Sequence, residues 1–339
     1  MPTPSNKIPL QQRLIERWWR PEPPPHLLRL LAALYCAAVA VRRAGYRHAL
    51  LPVRRVAVPV VIVGNLTVGG SGKTPLIIWL AQQLQKRGFH PGVVARGYQG
   101  QATSWPRRVT AQSDPREVGD EPVLIAQRSG CPVVVGPDRV AACEQLLAEA
   151  RCDLLLADDG LQHYRLHRNV EILVIDGERR FGNGYCLPAG PLREPPSRRR
   201  EVDLVVINGG PATAPDEWSM QLRADSARQL LPPYVQRPLS TFHEPLHAVA
   251  GIGHPERFFT QLERAGLRII RHPLPDHYPL TAGELEFGEG KEVLMTEKDG
   301  VKYRPFATPH HWVVPVEAEL KEGLVDAITH RCREGESDG

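Results

Sequence analysis

A glycine-rich turn between an apolar run and a helical stretch constrains the fold of this chain more than any other feature. The segment VVIVGNLTVGGSGKTPLIIWLAQQL has the pattern of a buried strand, a turn and a helix that opens at Gly72, Lys73 and Thr74. Glycines let backbone amides curl around phosphate without Cβ clashes, and a helix start adds partial positive charge. This order of elements predicts a P-loop for a nucleoside triphosphate.

The residues of this loop have expected roles in binding ATP and Mg²⁺. Lys73 is expected to reach the outer phosphates, and Thr74 to place its hydroxyl on Mg²⁺. Thr67 stands where the usual pattern begins with glycine, so the loop is expected to differ in shape. The alternative interpretation is a glycine turn with a structural role alone. The predicted nucleotide-binding residues are Thr67, Val68, Gly69, Gly70, Ser71, Gly72, Lys73 and Thr74.

An apolar run that ends in two carboxylates supplies the second half of such a site. In LLLADDGLQH, Asp158 and Asp159 follow a predicted strand. Ligands of open parallel sheets gather at the carboxyl ends of the strands, where the P-loop also lies. One aspartate is therefore expected to hold Mg²⁺ directly or through water. The alternative is that one or both only cap the following turn.

Short apolar runs alternate with amphipathic stretches from residue 56 onward, which predicts an α/β fold with a parallel sheet. Predicted strands cover residues 56–63, 92–95, 132–135, 153–157, 171–175 and 202–207, and predicted helices cover 74–87 and 138–150. A loop at 208–216 precedes a smaller α/β module with strands at 246–252, 267–271, 292–296 and 311–314. The predicted domains are an amino-terminal segment (1–50), a P-loop domain (51–212) and a smaller α/β domain (213–339).

The amino-terminal segment contains an apolar stretch, LLRLLAALYCAAVAV, at residues 27–41. A bilayer-spanning helix needs roughly 20 apolar residues, and Arg29 interrupts this shorter one, so a helix in the membrane interface is physically easier. A helix packed on the protein core has the same composition and remains an alternative. The arginines that flank the stretch, and favour anionic headgroups, are Arg13, Arg17, Arg20, Arg42, Arg43 and Arg47.

Composition excludes several other classes of protein. Hydrophobic residues make up 42% and charged residues 24% of the chain, which indicates a folded globular protein. A net charge of +4 is too small to argue for nucleic acid. The six cysteines form no C-x-x-C pair, and the polar, proline-rich start disfavours a secretory signal. A reducing, cytoplasmic location is therefore expected.

Missing motifs narrow the choice among P-loop proteins. The nearest match to the guanine-reading Asn-Lys-x-Asp motif, at residues 296–299, lacks the asparagine. Val68 occupies the position of the second lysine of partitioning ATPases, and the transporter motif Leu-Ser-Gly-Gly-Gln is absent. Of the activities known for P-loop proteins, transfer of phosphate to an acceptor is therefore the favoured hypothesis. A P-loop ATPase that drives assembly or insertion of a membrane partner is the competing hypothesis.

An ordered set of motifs resembles one family of phosphotransferases. The motifs are GNLTVGGSGKTP (64–75), ARGYQG (95–100), VGDEP (118–122), DDGLQH (158–163), PAGPLREP (188–195), PDHYP (275–279) and TEKDGVK (296–302). Together they resemble the tetraacyldisaccharide 4'-kinases, which phosphorylate a lipid A precursor. The resemblance implies transfer of the γ-phosphate of ATP, with Mg²⁺, to the 4'-hydroxyl of a tetraacylated glucosamine disaccharide 1-phosphate, without an obligate protein partner.

The resemblance also implies roles for individual residues. It makes Asp120 the catalytic base, assisted by His277; from the residues alone, these would be a turn or cap residue and a surface histidine. Arg193 and Glu194 match functional positions, and Arg193 is expected to neutralise the transferring phosphate or to bind the phosphate of the substrate. Gln162 is expected to orient metal-bound groups.

The remaining expectations concern the other motif residues, the arginine run and the location of the enzyme. Lys298 and Asp299 match the family without an assigned role, and Ala95 stands where the family is associated with serine. The run 198–200, Arg-Arg-Arg, is interpreted as a solvated turn or a contact to anionic lipid. The smaller module is expected to bring His277 over the nucleotide, with the enzyme attached to the cytoplasmic face of the bacterial inner membrane, peripheral or monotopic.

Overall fold

Two β-sheets organise the fold of this computed structural model, which describes residues 15–243, 245–288, 290–321 and 323–337. The first sheet contains β1 (Val60–Gly64), β2 (Pro91–Ala95), β3 (Arg107–Val109), β4 (Val133–Val135), β5 (Leu154–Asp158), β6 (Val170–Asp176), β7 (Leu204–Asn208), β8 (Glu217–Arg223) and β15 (Glu317–Leu320). The second contains β9 (Ser226–Gln229), β10 (Gln236–Pro238), β11 (Leu246–Ala250), β12 (Ile269–Pro273), β13 (Val293–Thr296) and β14 (His311–Val314).

Residues 15–18 are helical, and eight further α-helices accompany these sheets within the described residues. They are α1 (His26–Arg47), α2 (Lys73–Lys86), α3 (Pro115–Val118), α4 (Asp120–Ser129), α5 (Arg139–Glu149), α6 (Pro255–Arg264), α7 (Glu297–Tyr303) and α8 (Leu324–Ser337). Short 3₁₀ helices lie at Pro196–Glu201, Leu239–Thr241 and Arg304–Phe306. Each strand predicted from the sequence is present, with ends shifted by a few residues.

The first sheet is parallel at its centre and carries helices on both faces. Its order is β15-β8-β7-β6-β1-β5-β2-β4-β3, and only the pairs β3–β4 and β15–β8 are antiparallel. Val61 and Val63 of β1 pack towards α2, α4 and α8, whereas Val60 and Ile62 pack towards α5 and α1. Strands buried on both faces are apolar throughout, as in other α/β proteins. The predicted α/β P-loop fold is confirmed.

The second sheet is the smaller α/β unit. Its order is β10-β9-β14-β13-β11-β12, with parallel pairing from β14 to β12 and antiparallel strands β9 and β10 at one edge. Phe258, Phe259 and Leu262 of α6 bury their side chains against it. The predicted loop at 208–216 corresponds to the connection between β7 and β8.

The chain crosses between the sheets in a way that the predicted domains did not include. β8, β15 and α8 all fall in the range 213–339, yet the two strands belong to the first sheet and Leu324 and Ile328 of α8 pack in its core. β15 is an edge strand of four residues, which is too short to carry a strong sequence pattern. The division into domains is otherwise still a prediction, and residues 1–14, 338 and 339 lie outside the described residues.

The amino-terminal helix α1 has two different faces. Ala32 is buried, and Tyr35 and Cys36 pack against the core of the first sheet. On the other side, the exposed hydrophobic side chains are Leu27 (68%), Leu30 (59%), Leu31 (42%), Leu34 (61%) and Val41 (73%). The alternative interpretation, a helix packed on the protein core, therefore applies to one face of α1 only. No helix among the described residues is long and apolar enough to cross a membrane, and Arg13 lies outside them.

Candidate active site

The glycine-rich turn between β1 and α2 has the open backbone expected of a phosphate cradle. Gly69 and Gly72 have φ angles of 96° and 95°, a region that favours glycine. The Val68 amide donates to the Pro191 carbonyl (2.8 Å), and Thr67 forms an isolated β-bridge with Leu192. The turn is therefore held by residues of the PLREP motif, which accounts for a side chain at Thr67 where glycine was expected.

Lys73 and Asn65 define the inner end of this cradle. Lys73 Nζ donates to Asn65 Oδ1 (3.2 Å) and lies 3.5 Å from Asp159 Oδ1. Asn65 Nδ2 in turn donates to the Gly69 carbonyl (3.3 Å), so the lysine is anchored to the loop that it follows. Ser71 Oγ is buried without a hydrogen-bond partner in the described chain. A phosphate oxygen would satisfy such a hydroxyl.

The two aspartates at the end of β5 are in different electrostatic states. Burial, followed by the nearby Glu121 carboxylate, raises the pKa of Asp158 to about 7. Its Oδ1 has no hydrogen-bond partner among the described residues. Burial acts in the same direction on Asp159, but Lys73 and Arg193 outweigh it and hold that pKa well below its usual range. The Arg193 guanidinium donates to Asp159 Oδ2 at 2.7 Å.

Asp120 and His277 meet from opposite units of the fold, as predicted. His277 Nδ1 lies 3.1 Å from Asp120 Oδ2, although 157 residues separate them, and the Glu121 amide donates to Asp120 Oδ1 (2.8 Å). Asp120 opens α4, and His277 has a φ of 58° in the loop after β12. Burial would raise the pKa of Asp120, but the hydrogen bond from His277 and the charge of Lys298 lower it. The carboxylate is thus kept ionised.

Glu194 and Gln162 support Arg193. Glu194 is fully buried, accepts from Gln162 Nε2 (2.9 Å) and from the Tyr164 hydroxyl, and lies beside Arg198 (3.7 Å). Gln162 Oε1 accepts from Arg193 (3.4 Å). Protein groups therefore contact both oxygens of Glu194 and both ends of the Gln162 amide.

The arginine run at 198–200 lies in a short 3₁₀ helix, and its three side chains differ: Arg200 is exposed, whereas Arg198 and Arg199 form ion pairs. Arg198 is 3% exposed and donates to both Glu171 oxygens at 2.6 Å, and Arg199 pairs with Asp216 (2.9 Å). The interpretation of the run as a solvated turn is wrong for these two residues. Glu171 comes from β6, and sequence pattern alone does not indicate that a buried strand would carry its counter-ion.

A polar contact ties the second unit to the cradle. Asn208, at the end of β7, donates to the Ser71 carbonyl (3.0 Å) and accepts from Arg257 of α6 (2.7 Å). A Cβ added to Gly253 would lie 2.7 Å from the Gly70 amide nitrogen, so this loop passes directly over the cradle. The second unit therefore contacts the nucleotide site at this point as well as at His277.

Sequence reasoning gave no site role to Asn65, Glu121, Asn208 and Arg257, and left Lys298 without one. Asn65 follows β1 and Asn208 ends β7, so both stand at carboxyl ends of parallel strands, a signal that could have found them. Lys298 and Arg257 reach the site through contacts between the two units, which no local pattern encodes. Thr74 lies at the second position of α2, where the sequence placed it.

A glycine-rich turn that leads into a helix, with Lys73 at its inner end, is the phosphate-binding arrangement of P-loop proteins. An ionised carboxylate such as that of Asp120 is a group that can accept a proton. Fold and site together define a P-loop kinase. Residues 25–333 match the family model described as tetraacyldisaccharide-1-P 4'-kinase. The chain belongs to this family.

Individual relatives agree with this assignment. A tetraacyldisaccharide 4'-kinase of Alkalilimnicola ehrlichii is 53% identical over 309 residues, 89% of this chain and 91% of that protein. A tetraacyldisaccharide 4'-kinase of Nitrosococcus oceani is 51% identical over 308 residues, which cover 91% of this chain and 90% of that protein. The crystal structure of LpxK from Aquifex aeolicus in complex with ATP superposes with a TM-score of 0.75, at 26% identity, over 89% of this chain and 97% of that one. Family membership does not favour the competing ATPase hypothesis.

Proposed function

We propose that this enzyme transfers the γ-phosphate of ATP to the 4'-hydroxyl of a tetraacylated glucosamine disaccharide 1-phosphate, a step of lipid A biosynthesis, with Asp120 accepting the proton of the hydroxyl. The contact of His277 with Asp120 across the two units carries this proposal, because it orients an ionised carboxylate. One oxygen of Asp120 accepts from the Glu121 amide and the other from the imidazole. Each retains a lone pair for the substrate.

The nucleotide is held by the backbone of residues 67–74 and by Lys73. Positive charge at the start of α2 and the Lys73 ammonium neutralise the outer phosphates, and this accounts for most of the acceleration expected in phosphoryl transfer. Arg193 contacts Asp159 in the ligand-free chain. In the reaction it is available to the transferring group, since a guanidinium binds phosphate in the same planar geometry as carboxylate.

Mg²⁺ fits this site at Asp158 and Thr74. The free, buried Oδ1 of Asp158 is an oxygen ligand without a partner, which supports the fit. Asp159 and Gln162 were also predicted ligands, but Arg193 donates to both oxygens of Asp159 and to Gln162 Oε1, so we assign them to supporting roles. No cluster of three His, Cys, Asp or Glu in the described part of the chain could hold a metal alone. Mg²⁺ commonly takes few protein ligands and completes its shell with phosphate and water. When bound, it neutralises charge on the phosphates.

The exposed apolar face of α1 supports attachment to the cytoplasmic face of the inner membrane, where ATP is available. Five large hydrophobic side chains on this face are exposed, and Arg29, Arg42 and Arg47 border them. Apolar side chains that enter the interface, with arginines on anionic headgroups, describe an interfacial helix. An enzyme attached in this way can act on the acylated substrate while its acyl chains stay partly in the bilayer.

The function is tested by acceptor dependence and by one substitution. Mass spectrometry of the disaccharide lipid after incubation with ATP and Mg²⁺ should show one added phosphate, and phosphate release without lipid should be negligible. We expect Asp120→Asn to lower kcat by about 10²-fold or more, with the KM for ATP nearly unchanged, because a general base contributes on that order. Full turnover by Asp120→Asn would refute the base, and rapid hydrolysis indifferent to lipid would refute the kinase.

A further inference from the structure

Lys298 of α7 lies at the centre of a hydrogen-bond cluster that includes His277, the partner of Asp120. Its side chain is 13% exposed, and its Nζ contacts Glu121 Oε1 (3.2 Å), Asp276 Oδ1 (3.1 Å) and His277 Nε2 (3.1 Å). An ammonium group has three hydrogens and no acceptor. The three contacts therefore use its complete hydrogen-bonding capacity, and each partner must accept.

This cluster fixes the proton of the imidazole. Because Lys298 only donates, His277 Nε2 must carry a lone pair, and the ring proton of the neutral imidazole is on Nδ1. Nδ1 is the atom that faces Asp120 Oδ2 at 3.1 Å. The orientation of the hydrogen bond to Asp120 therefore depends on the group at the far side of the ring.

We propose that Lys298 is a positioning residue that holds His277 in the neutral, Nδ1-protonated tautomer, so that the imidazole donates to Asp120 and aims its carboxylate at the acceptor hydroxyl. The inference rests on the proposed role of Asp120 as base. It gives a role to the second residue of the motif TEKDGVK that the sequence left unassigned.

The surroundings of His277 show what the loss of Lys298 would do. The charged groups that face its ring are Asp120, Asp276 (3.7 Å) and Lys298, and the Tyr98 ring lies 5.3 Å away. Without the ammonium, Nε2 has no donor and two carboxylates flank the ring. The ring proton is then free to occupy Nε2, which lies 3.7 Å from Asp276 Oδ1, and Nδ1 would no longer donate to Asp120.

Lys298→Met is the test variant, and Lys302→Met is its matched control. Both lysines lie on α7 with similar side-chain exposure (13% and 12%) and both form ion pairs, but Lys302 pairs with Asp299 at 2.8 Å. We expect Lys298→Met to lower kcat by about 10-fold or more without a matching change in the KM for ATP. The acid limb of the pH–rate profile of Lys298→Met should move to higher pH, because Lys298 lowers the pKa of Asp120 and does so more than Lys302. Lys302→Met should lose stability and keep nearly the native pH profile.

Imidazole ¹⁵N NMR provides a readout that does not depend on activity. The native enzyme at neutral pH should show His277, assigned by comparison with His277→Gln, with a protonated Nδ1 and an unprotonated Nε2. A native signal with the proton on Nε2 would overturn the proposal even if Lys298→Met failed to fold. In Lys298→Met, part of the His277 population should carry the ring proton on Nε2 instead of Nδ1.

Outcomes of the two proposals can be told apart. If Asp120→Asn is inactive while Lys298→Met keeps the native kcat and pH profile, the inference about Lys298 is wrong and the base remains. If Asp120→Asn is fully active, the base assignment fails, and the NMR tautomer still decides whether Lys298 fixes the ring. Equal changes in kcat and pH profile for Lys298→Met and Lys302→Met would contradict a specific role for Lys298.

Discussion

At Gly72 the chain has a φ of 95°, and a Cβ built there would lie 2.2 Å from Asn208 Nδ2. We expect Gly72→Ala to displace Asn208 from the Ser71 carbonyl and to raise the KM for ATP about 10-fold or more, since misplaced binding groups lose their contacts. Gly69→Ala is the control, because its φ is 96° and no atom lies within 4 Å. It should cost about 1 kcal/mol of backbone strain alone. Equal ATP titrations for the two variants would contradict this account.

Ionisation of the buried Asp158 carboxyl opposes folding. Its pKa is raised to about 7, so its contribution to stability is present below the ordinary carboxyl pKa and is lost as pH rises through about 7. We therefore expect Asp158→Asn to raise the Tm at pH 8 in EDTA, with little gain at pH 4. Added Mg²⁺ and ATP should stabilise the native enzyme more than the variant. A lower Tm for Asp158→Asn at pH 8 would contradict the effect of burial.

Helix α1 is the element through which the enzyme is expected to meet the membrane. Leu30→Glu with Leu34→Glu should weaken binding to phosphatidylglycerol vesicles by about 100-fold, since burying each leucine contributes about 1.5 kcal/mol or more. Ile270→Glu, at a 47% exposed position on β12, is the control. Co-sedimentation measures binding, and activity on detergent-dispersed lipid should persist. An equal loss in both variants would argue against this face of α1 as the contact.

The elements differ in how far the sequence predicts them. The continuous apolar runs of β1 and β5 and the strong helical periodicity of α2 are sufficient to predict these elements from the sequence. Helix α4 was missed because it is only ten residues long and has a proline at position 122 in its first turn. β15 has four residues with one buried, so its alternation is too short to distinguish from a loop.

The site is predicted less evenly than the fold. The motifs identified Lys73, Asp158 and Asp120, but the sequence alone does not determine which aspartate is paired and which has a free oxygen. That distinction depends on Arg193, which contacts Asp159 from 34 residues away. Residues that are brought together by tertiary packing, unlike residues within one turn, produce no periodic pattern in the sequence.

At the scale of the molecule, a buried ion pair joins the two sheets. Arg128 of α4 donates to both Glu297 oxygens of α7 at 2.6 Å, with side-chain exposures of 12% and 6%, and it also contacts Glu317 of β15. We expect Arg128→Met to lower the free energy of unfolding by about 3 kcal/mol, because it leaves Glu297 buried and unpaired. Arg128→Met with Glu297→Met should recover much of this loss in urea denaturation. Additive losses would show that the pair is not coupled.

The return of the chain to its first sheet bears on biosynthesis. β15 and α8 complete the sheet that carries the cradle, and they are drawn from residues 317–337. A nascent polypeptide that has emerged only as far as β14 already contains every phosphate-binding group. At that stage β8 still lacks its neighbour β15, and the core of the first sheet still lacks α8. A cradle supported by its complete sheet therefore requires residues 317–337, which are synthesised long after the glycine-rich turn itself.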